Sequence, residues 1–130
     1  MALIHVLLIE GAAGDALLAQ EAIKHSIIPV KLVIARDGEQ ALMFLGAPNA
    51  KPDLIILDLT LPGISAFALL ERFQAQGIPI VVFSSSLNPE DAQRAIKLGA
   101  REFARKPLEL TAYTEAVLTI IQKWVPGKVL

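Results

Sequence analysis

The chain has 130 residues, of which 54% are hydrophobic and 19% charged, and this length suits one domain with a sizeable buried core. It contains no cysteine, which excludes a disulfide framework and thiolate metal sites, and its net charge of −1 gives no electrostatic basis for binding nucleic acid. No apolar run approaches the roughly 18 residues of a membrane span and no basic leader opens the chain, so we expect a cytoplasmic α/β protein that does not bind membranes.

Five segments have the composition of β-strands. Three of them (HVLLI, LIIL and IVVF) are continuous apolar runs, which are typical of interior parallel strands buried on both faces. The last segment, EFAR, alternates in polarity and therefore suits an edge of the sheet. The predicted strands are Leu3–Ile9, Val30–Ala35, Leu54–Leu57, Ile80–Phe83 and Arg101–Arg105.

A helix is predicted after each strand. The signals are cap residues at the start and glycine or proline at the end. The predicted helices run from an Asp15 cap to about Lys24, from an Asp37 cap with Gln40 in a capping box to Gly46, from Ser65 to Gly77, from Asn88-Pro89 to Gly99, and from about Thr111 to Trp124.

Alternation of strand and helix, with short connections, predicts a flavodoxin-like doubly wound α/β fold. Its five parallel strands should lie in the order 2-1-3-4-5, and a ligand should bind outside their carboxyl ends. We predict one domain over residues 1–130, with a short apolar tail at 125–130.

A polar residue follows four of the strands: Glu10, Asp58, Ser84 (the first of three serines) and Lys106. In the predicted order those strands are neighbours, so these side chains should meet in one shallow pocket. Carboxylates suit Mg²⁺, while an ammonium and a hydroxyl suit phosphate oxygens. Any one of them could simply be a turn or cap residue, but a carboxylate that directly ends a buried strand, as Asp58 does, needs a partner.

The segments LLIEG, PDLIILDLTLPG, IPIVVFSSS and LGAREFARKP, together with the final helix, resemble the receiver domain of response regulators over essentially the whole chain. The segment ALLAQEAI, the SSS run and the tryptophan that ends the last helix resemble single-domain regulators paired with bacterial and cyanobacterial phytochrome histidine kinases. The resemblance implies a phosphoacceptor in a two-component phosphorelay, with at most self-catalysed phosphotransfer and autodephosphorylation, and not an enzyme acting on a separate substrate.

The resemblance also implies roles for individual residues. Asp58 would take a phosphoryl group from a phosphohistidine of a sensor histidine kinase. Mg²⁺ would bind Glu10, Asp58 and the backbone carbonyl of Thr60. Lys106 would pair with a phosphoryl oxygen, next to a cis peptide bond to Pro107.

Two further residues would form the switch that the resemblance implies. Ser84 would hydrogen-bond another phosphoryl oxygen and move toward it, and Phe103 would turn inward with that movement. The change would bias a surface on the fourth helix, fifth strand and fifth helix, which with the apolar tail offers a homodimer contact and a route to a downstream protein target.

One position departs from the family. The family has two adjacent acids after the first strand, whereas here Glu10 is followed by Gly11, and Asp15 is predicted to be the helix cap. We therefore expect weak Mg²⁺ binding and weakened phosphorylation. The competing hypothesis is a degenerate receiver that acts as an interaction module whether or not it is phosphorylated.

Two enzyme or carrier classes share parts of this pattern. An FMN electron carrier has the same strand order, but GAAGD lacks the hydroxyls of a phosphate loop, and one Trp and one Tyr offer little to sandwich a flavin. A haloacid-dehalogenase-like phosphatase also uses a strand-end aspartate, but it usually has a second acid two residues later, where this chain has Thr60.

Overall fold

The structure, a computed structural model, describes residues 3–47 and 51–125. The strands are β1 (Ile4–Ile9), β2 (Val30–Ala35), β3 (Leu54–Leu57), β4 (Ile80–Ser84) and β5 (Glu102–Arg105). The helices are α1 (Ala13–Lys24), α2 (Gly38–Gly46), α3 (Ala66–Phe73), α4 (Pro89–Lys97) and α5 (Leu110–Trp124), and a 3-10 turn (Gln74–Gln76) follows α3.

The five strands form one parallel sheet in the order β2-β1-β3-β4-β5, which confirms the predicted fold. The segment EFAR is β5 and lies at an edge, as its alternation indicated. The interior strands β3 and β4 are buried along their whole length, so apolar side chains cover both faces of the sheet.

Two helical layers enclose the sheet. Ile4, Val6 and Leu8 of β1 face the layer of α1 and α5, while Leu7 and Ile9 of the same strand face the layer of α2, α3 and α4. Full burial of such side chains contributes about 1.5–3 kcal/mol each. The strands are therefore held firmly from both sides, and the positions of the residues that follow them are fixed.

Three of the predicted helix caps are confirmed. The side chains of Asp37, Ser65 and Asn88 each accept a hydrogen bond from a backbone N–H in the first turn of the helix that follows. The cap of α5 was not predicted: the Glu109 carboxylate accepts from two backbone N–H groups, and these bonds lower its pKa.

The predicted start of α1 is wrong. The helix begins at Ala13, and its cap, Ala12, provides no side-chain hydrogen bond. Asp15 lies inside the first turn, where its negative charge interacts favourably with the positive end of the helix dipole. Asp15 is thus a residue of the helix and not its cap, and its carboxylate binds a partner far away in sequence.

Two further predictions concern the peptide bond before Pro107 and the C-terminal tail. The cis peptide bond predicted between Lys106 and Pro107 is wrong, because every peptide bond of the described residues is trans; the trans form is the favoured isomer before proline. Of the predicted tail, Val125 is buried, and residues 126–130 lie outside the described residues. Within the described ranges, no helix is long and apolar enough to cross a membrane.

Candidate functional site

The carboxyl end of the sheet gathers the predicted acids and the predicted lysine. The Lys106 ammonium lies 2.7 Å from Glu10 Oε1 and 3.5 Å from Asp58 Oδ2. It also lies 2.7 Å from Asp15 Oδ2 on α1. The side chains of Glu10, Asp58 and Lys106 are all less than a tenth exposed, so these charges interact where water screens them little.

The sheet itself positions these residues. Its ladder of backbone hydrogen bonds continues one residue beyond the strands: Glu10 N–H donates to Ala35 O at 2.9 Å, and Asp58 N–H donates to Ile9 O at 3.0 Å. Lys106 N–H likewise donates to the carbonyl of Ser84 at 2.8 Å. The polar side chains are therefore carried on rigid backbone at the edge of the core.

Burial and crowding alter the acidity of two of these groups. Burial, followed by hydrogen bonding to and repulsion from Asp58, raises the pKa of Glu10 to about 7 despite the opposing effect of Lys106. Burial alone would lower the pKa of Lys106, but its hydrogen bonds to Asp15 and Glu10 outweigh that effect and raise the pKa. The ammonium therefore stays charged at neutral pH.

The run of three serines begins with Ser84, the last residue of β4, and continues into the loop that follows. Ser84 is buried, and its hydroxyl oxygen accepts from the Ser86 N–H at 3.1 Å. Ser86 in turn donates to Asp91 Oδ2 at 2.6 Å. The serine that lines the cavity is Ser85, not Ser84, because the loop turns at Ser86 and uses the Ser84 hydroxyl to hold that turn.

The cavity at this end of the sheet holds about 580 Å³ and is open to solvent. Asp15, Asp58, Thr60, Ser85 and Lys106 contribute to its wall. Its charged wall residues are two carboxylates, Asp15 and Asp58, and one ammonium, Lys106.

Gly11 lies beside the backbone carbonyl predicted to bind the metal. A Cβ atom at this position would be 3.2 Å from Thr60 O and 3.1 Å from Pro62 Cδ. The backbone of Gly11 is outside the left-handed region, so another residue could adopt it, but both contacts are tight and Pro62 or the Thr60 carbonyl would have to shift slightly to admit a Cβ. A carboxylate at position 11 would begin next to Thr60 O, which is the backbone oxygen of the predicted Mg²⁺ site.

Arg36, at the end of β2, was not predicted to have a role at this site. Its Nε donates to the carbonyl of Glu10 at 3.1 Å, and its Nη2 donates to the carbonyl of Gly11 at 2.8 Å. The guanidinium thus fixes the loop between β1 and α1. No local sequence signal indicates this contact, because Arg36 looks like an ordinary charged residue after a strand.

The donors present fit Mg²⁺ in type but are few. Glu10, Asp58 and the Thr60 carbonyl are oxygen ligands of the kind that Mg²⁺ uses, and water would have to complete the octahedron. Among the described residues no group of three acidic, histidine or cysteine side chains is arranged to hold a metal ion. Glu10 is also engaged by Lys106 and by the Ala12 N–H.

Phe103, the predicted switch aromatic, is half-buried on β5 and packs against the core layer that contains α3 and α4. It is therefore on the edge strand, with β4 lying between it and β3, the strand that Asp58 follows. The structure contains one arrangement of this side chain, so its movement stays a prediction.

Comparisons with known proteins agree with this arrangement. A family model described as "Response regulator receiver domain" matches residues 6–118. The response regulator Rcp1 of Synechocystis sp. is 31% identical over 129 residues, which cover 92% of this chain and 88% of Rcp1. The two-component response regulator ARR17 of Arabidopsis thaliana is 30% identical over 122 residues, covering 83% of this chain and 78% of that protein.

Solved structures give the same result. The phosphorylated cyanobacterial phytochrome response regulator RcpA matches with a TM-score of 0.89 and 31% identity, over 97% of this chain and 96% of that one. The Mn²⁺-bound form of response regulator Rcp1 matches with a TM-score of 0.84 and 31% identity, over 94% of each chain.

Proposed function

The chain belongs to the response regulator receiver domain family, and on that premise we propose that it accepts a phosphoryl group on Asp58 from a histidine kinase. The observation that carries the proposal is the pairing of the buried Asp58 carboxylate, at the end of β3, with the Lys106 ammonium 3.5 Å away. This places a nucleophile and a fixed positive charge on the wall of one solvent-open cavity.

The proposed transfer is a displacement at phosphorus. An oxygen of Asp58 forms the new bond to phosphorus while the bond from phosphorus to the kinase histidine breaks, and the histidine nitrogen keeps the electron pair. Charge spreads over the phosphoryl oxygens during this step, and Lys106 is placed to neutralise part of it. A bound Mg²⁺, held by Glu10, Asp58 and Thr60 O, would supply further positive charge.

The surroundings of the cavity favour a protein as phosphoryl donor. Leu110 on α5 is about 60% exposed, and Leu108 between β5 and α5 is fully exposed. The loop with Leu108 begins next to Lys106, so apolar side chains flank the entrance to the site. The likeness to phytochrome response regulators supports a phytochrome-like kinase as this donor.

We propose that Mg²⁺ binds weakly, because Gly11 leaves the Thr60 carbonyl without a neighbouring carboxylate. Losing a supporting partner of a metal site costs about 10–100-fold in affinity, and losing a direct ligand should cost at least as much. The alternative function, a degenerate receiver that binds partners without phosphorylation, is favoured by the same glycine and by the engagement of Lys106 with Glu10 and Asp15.

Gly11→Asp separates the two functions. The new side chain is expected to raise Mg²⁺ affinity about 10–100-fold and to speed labelling by acetyl phosphate. Measurable labelling of the wild type at high Mg²⁺ contradicts the degenerate receiver. Absence of labelling in both proteins contradicts the phosphorelay function, provided that circular dichroism shows both to be folded.

A homodimer is the second part of the proposal. Ile96 on α4 and Leu87 in the loop before it are exposed, so apolar side chains are accessible at α4, one of the elements of the predicted switch surface. We predict that phosphorylation shifts the chain toward a dimer through this surface. Light scattering that shows a monomer at micromolar concentration, with and without phosphoryl donor, contradicts this part alone.

A further inference from the structure

Asp15 provides a third carboxylate at the site, on an element that the sequence did not connect with it. Its Oδ2 lies 2.7 Å from the Lys106 ammonium, the same distance as Glu10 Oε1. The two carboxylates come from different places: Glu10 follows β1, whereas Asp15 is in the first turn of α1. The ammonium is therefore held from two sides, next to Asp58.

The position of Asp15 is itself fixed. Tyr113, a buried residue of α5, donates its hydroxyl to the backbone carbonyl of Asp15 at 3.3 Å. Tyr113 also packs its ring against Phe83 of β4, with the ring centres 5.2 Å apart. The first turn of α1 is thus attached to the core, and a carboxylate carried on it needs little further ordering to hold a lysine.

We propose that Asp15 is a positioning residue that anchors the Lys106 ammonium beside Asp58 for phosphoryl transfer. The inference rests on the proposed function of Asp58. Lysine has a long, flexible side chain, and two charged hydrogen bonds restrict it to one place. Because Gly11 weakens the metal part of the site, the anchored lysine becomes the main positive charge that the arriving phosphoryl group meets.

The anchoring can be measured without any phosphoryl donor. Nitrogen-detected NMR of the metal-free protein reports whether the Lys106 ammonium hydrogens exchange slowly with water, and Lys106→Arg assigns the signal. We expect a protected signal in the wild type, its loss in Asp15→Asn, and its retention in Asp15→Glu. Glu21→Gln, which removes an exposed charge from the same helix, is the matched control and should keep the signal. An unchanged signal in Asp15→Asn overturns the proposal.

The consequence for the reaction is measured with acetyl phosphate and Mg²⁺. Asp15→Asn should lower the maximal labelling rate about tenfold, equivalent to about 1.4 kcal/mol, while the Mg²⁺ affinity changes less than about threefold. Glu21→Gln should label like the wild type. A wild-type rate in Asp15→Asn overturns the positioning role, and so does a loss of rate that is matched by an equal loss of Mg²⁺ affinity. A wild type that is never labelled overturns the function of Asp58 instead, and the NMR signal then decides the anchor alone.

Discussion

The two halves of the site differ in how completely they are built. The phosphoryl half, made of Asp58 and Lys106, is buried, closely spaced and reinforced by Asp15. The metal half has Glu10 and the Thr60 carbonyl, but Gly11 adds only backbone there. Both halves lie on the same rigid rim of the sheet, so the difference comes from side chains and not from the fold. The proposed function therefore predicts an acceptor that is retained while the metal ligands are reduced.

The largest expected effect removes the cation of the phosphoryl half. Lys106→Gln should lower acetyl-phosphate labelling about 100-fold or more, because loss of one preorganised donor to transition-state charge costs about 10²–10³ in rate. Mg²⁺ affinity should not fall, since the ammonium competes with the metal for Glu10. Initial labelling rates and Mg²⁺ titrations test both statements.

The control for this variant is Lys97→Gln, which neutralises an exposed lysine at the end of α4. It should label like the wild type. A labelling rate of Lys106→Gln within threefold of the wild-type rate would show that the Lys106 ammonium does not drive the reaction.

The next effect concerns stability and reports on Glu10, the acid of the metal half that also contacts Lys106. Burial raises the pKa of Glu10 from 4.5 to about 7, so the folded state binds a proton there that the unfolded state has released. The free energy of unfolding of the metal-free protein should therefore fall as the pH rises from about 4.5 through about 7, by roughly 3 kcal/mol. Urea unfolding at several pH values in the presence of a chelator measures this.

Glu10→Gln supplies the matched variant for the pH experiment. The amide keeps the shape of the side chain and does not ionise, so the fall in stability across this pH range should become smaller. An equal pH dependence in both proteins would mean that Glu10 is not the group responsible.

The smallest expected effect distinguishes two neighbouring serines. Ser84→Ala should slow labelling about tenfold, equivalent to about 1.4 kcal/mol, if the buried hydroxyl is released to the phosphoryl group as the family resemblance implies. Ser85→Ala should slow it less, although Ser85 lines the cavity in the resting structure. A larger loss of labelling rate in Ser85→Ala than in Ser84→Ala would mean that the exposed Ser85 hydroxyl contacts the phosphoryl group.

The sequence was sufficient for the sheet and for most helices. Continuous apolar runs predicted β1, β3 and β4 to within one residue, because interior parallel strands are buried on both faces. Polar residues with a local cap function, such as Asp37 and Ser65, marked the helix starts correctly. The start of α1 was predicted wrongly because the true cap, Ala12, has no side chain that can cap a helix. Asp15, a residue type common at helix caps, indicated a later start instead.

The site was predicted in its members and less well in its contacts. Glu10, Asp58 and Lys106 do meet, since topology alone brings their strand ends together. The ion pair of Lys106 with Asp15 joins residues 91 positions apart and has no local pattern. The contacts of Arg36 with the β1–α1 loop are equally invisible, because they depend on the direction of a long side chain.

The most direct test of the account is to locate the phosphoryl group. Intact-mass measurement after reaction with acetyl phosphate and Mg²⁺ should show one added phosphoryl group on the wild type and none on Asp58→Asn. Asp53→Asn is the matched control, because Asp53 directly precedes the other end of β3 and binds the His5 N–H there; it should be labelled like the wild type. Labelling of Asp58→Asn to the wild-type extent would contradict the account.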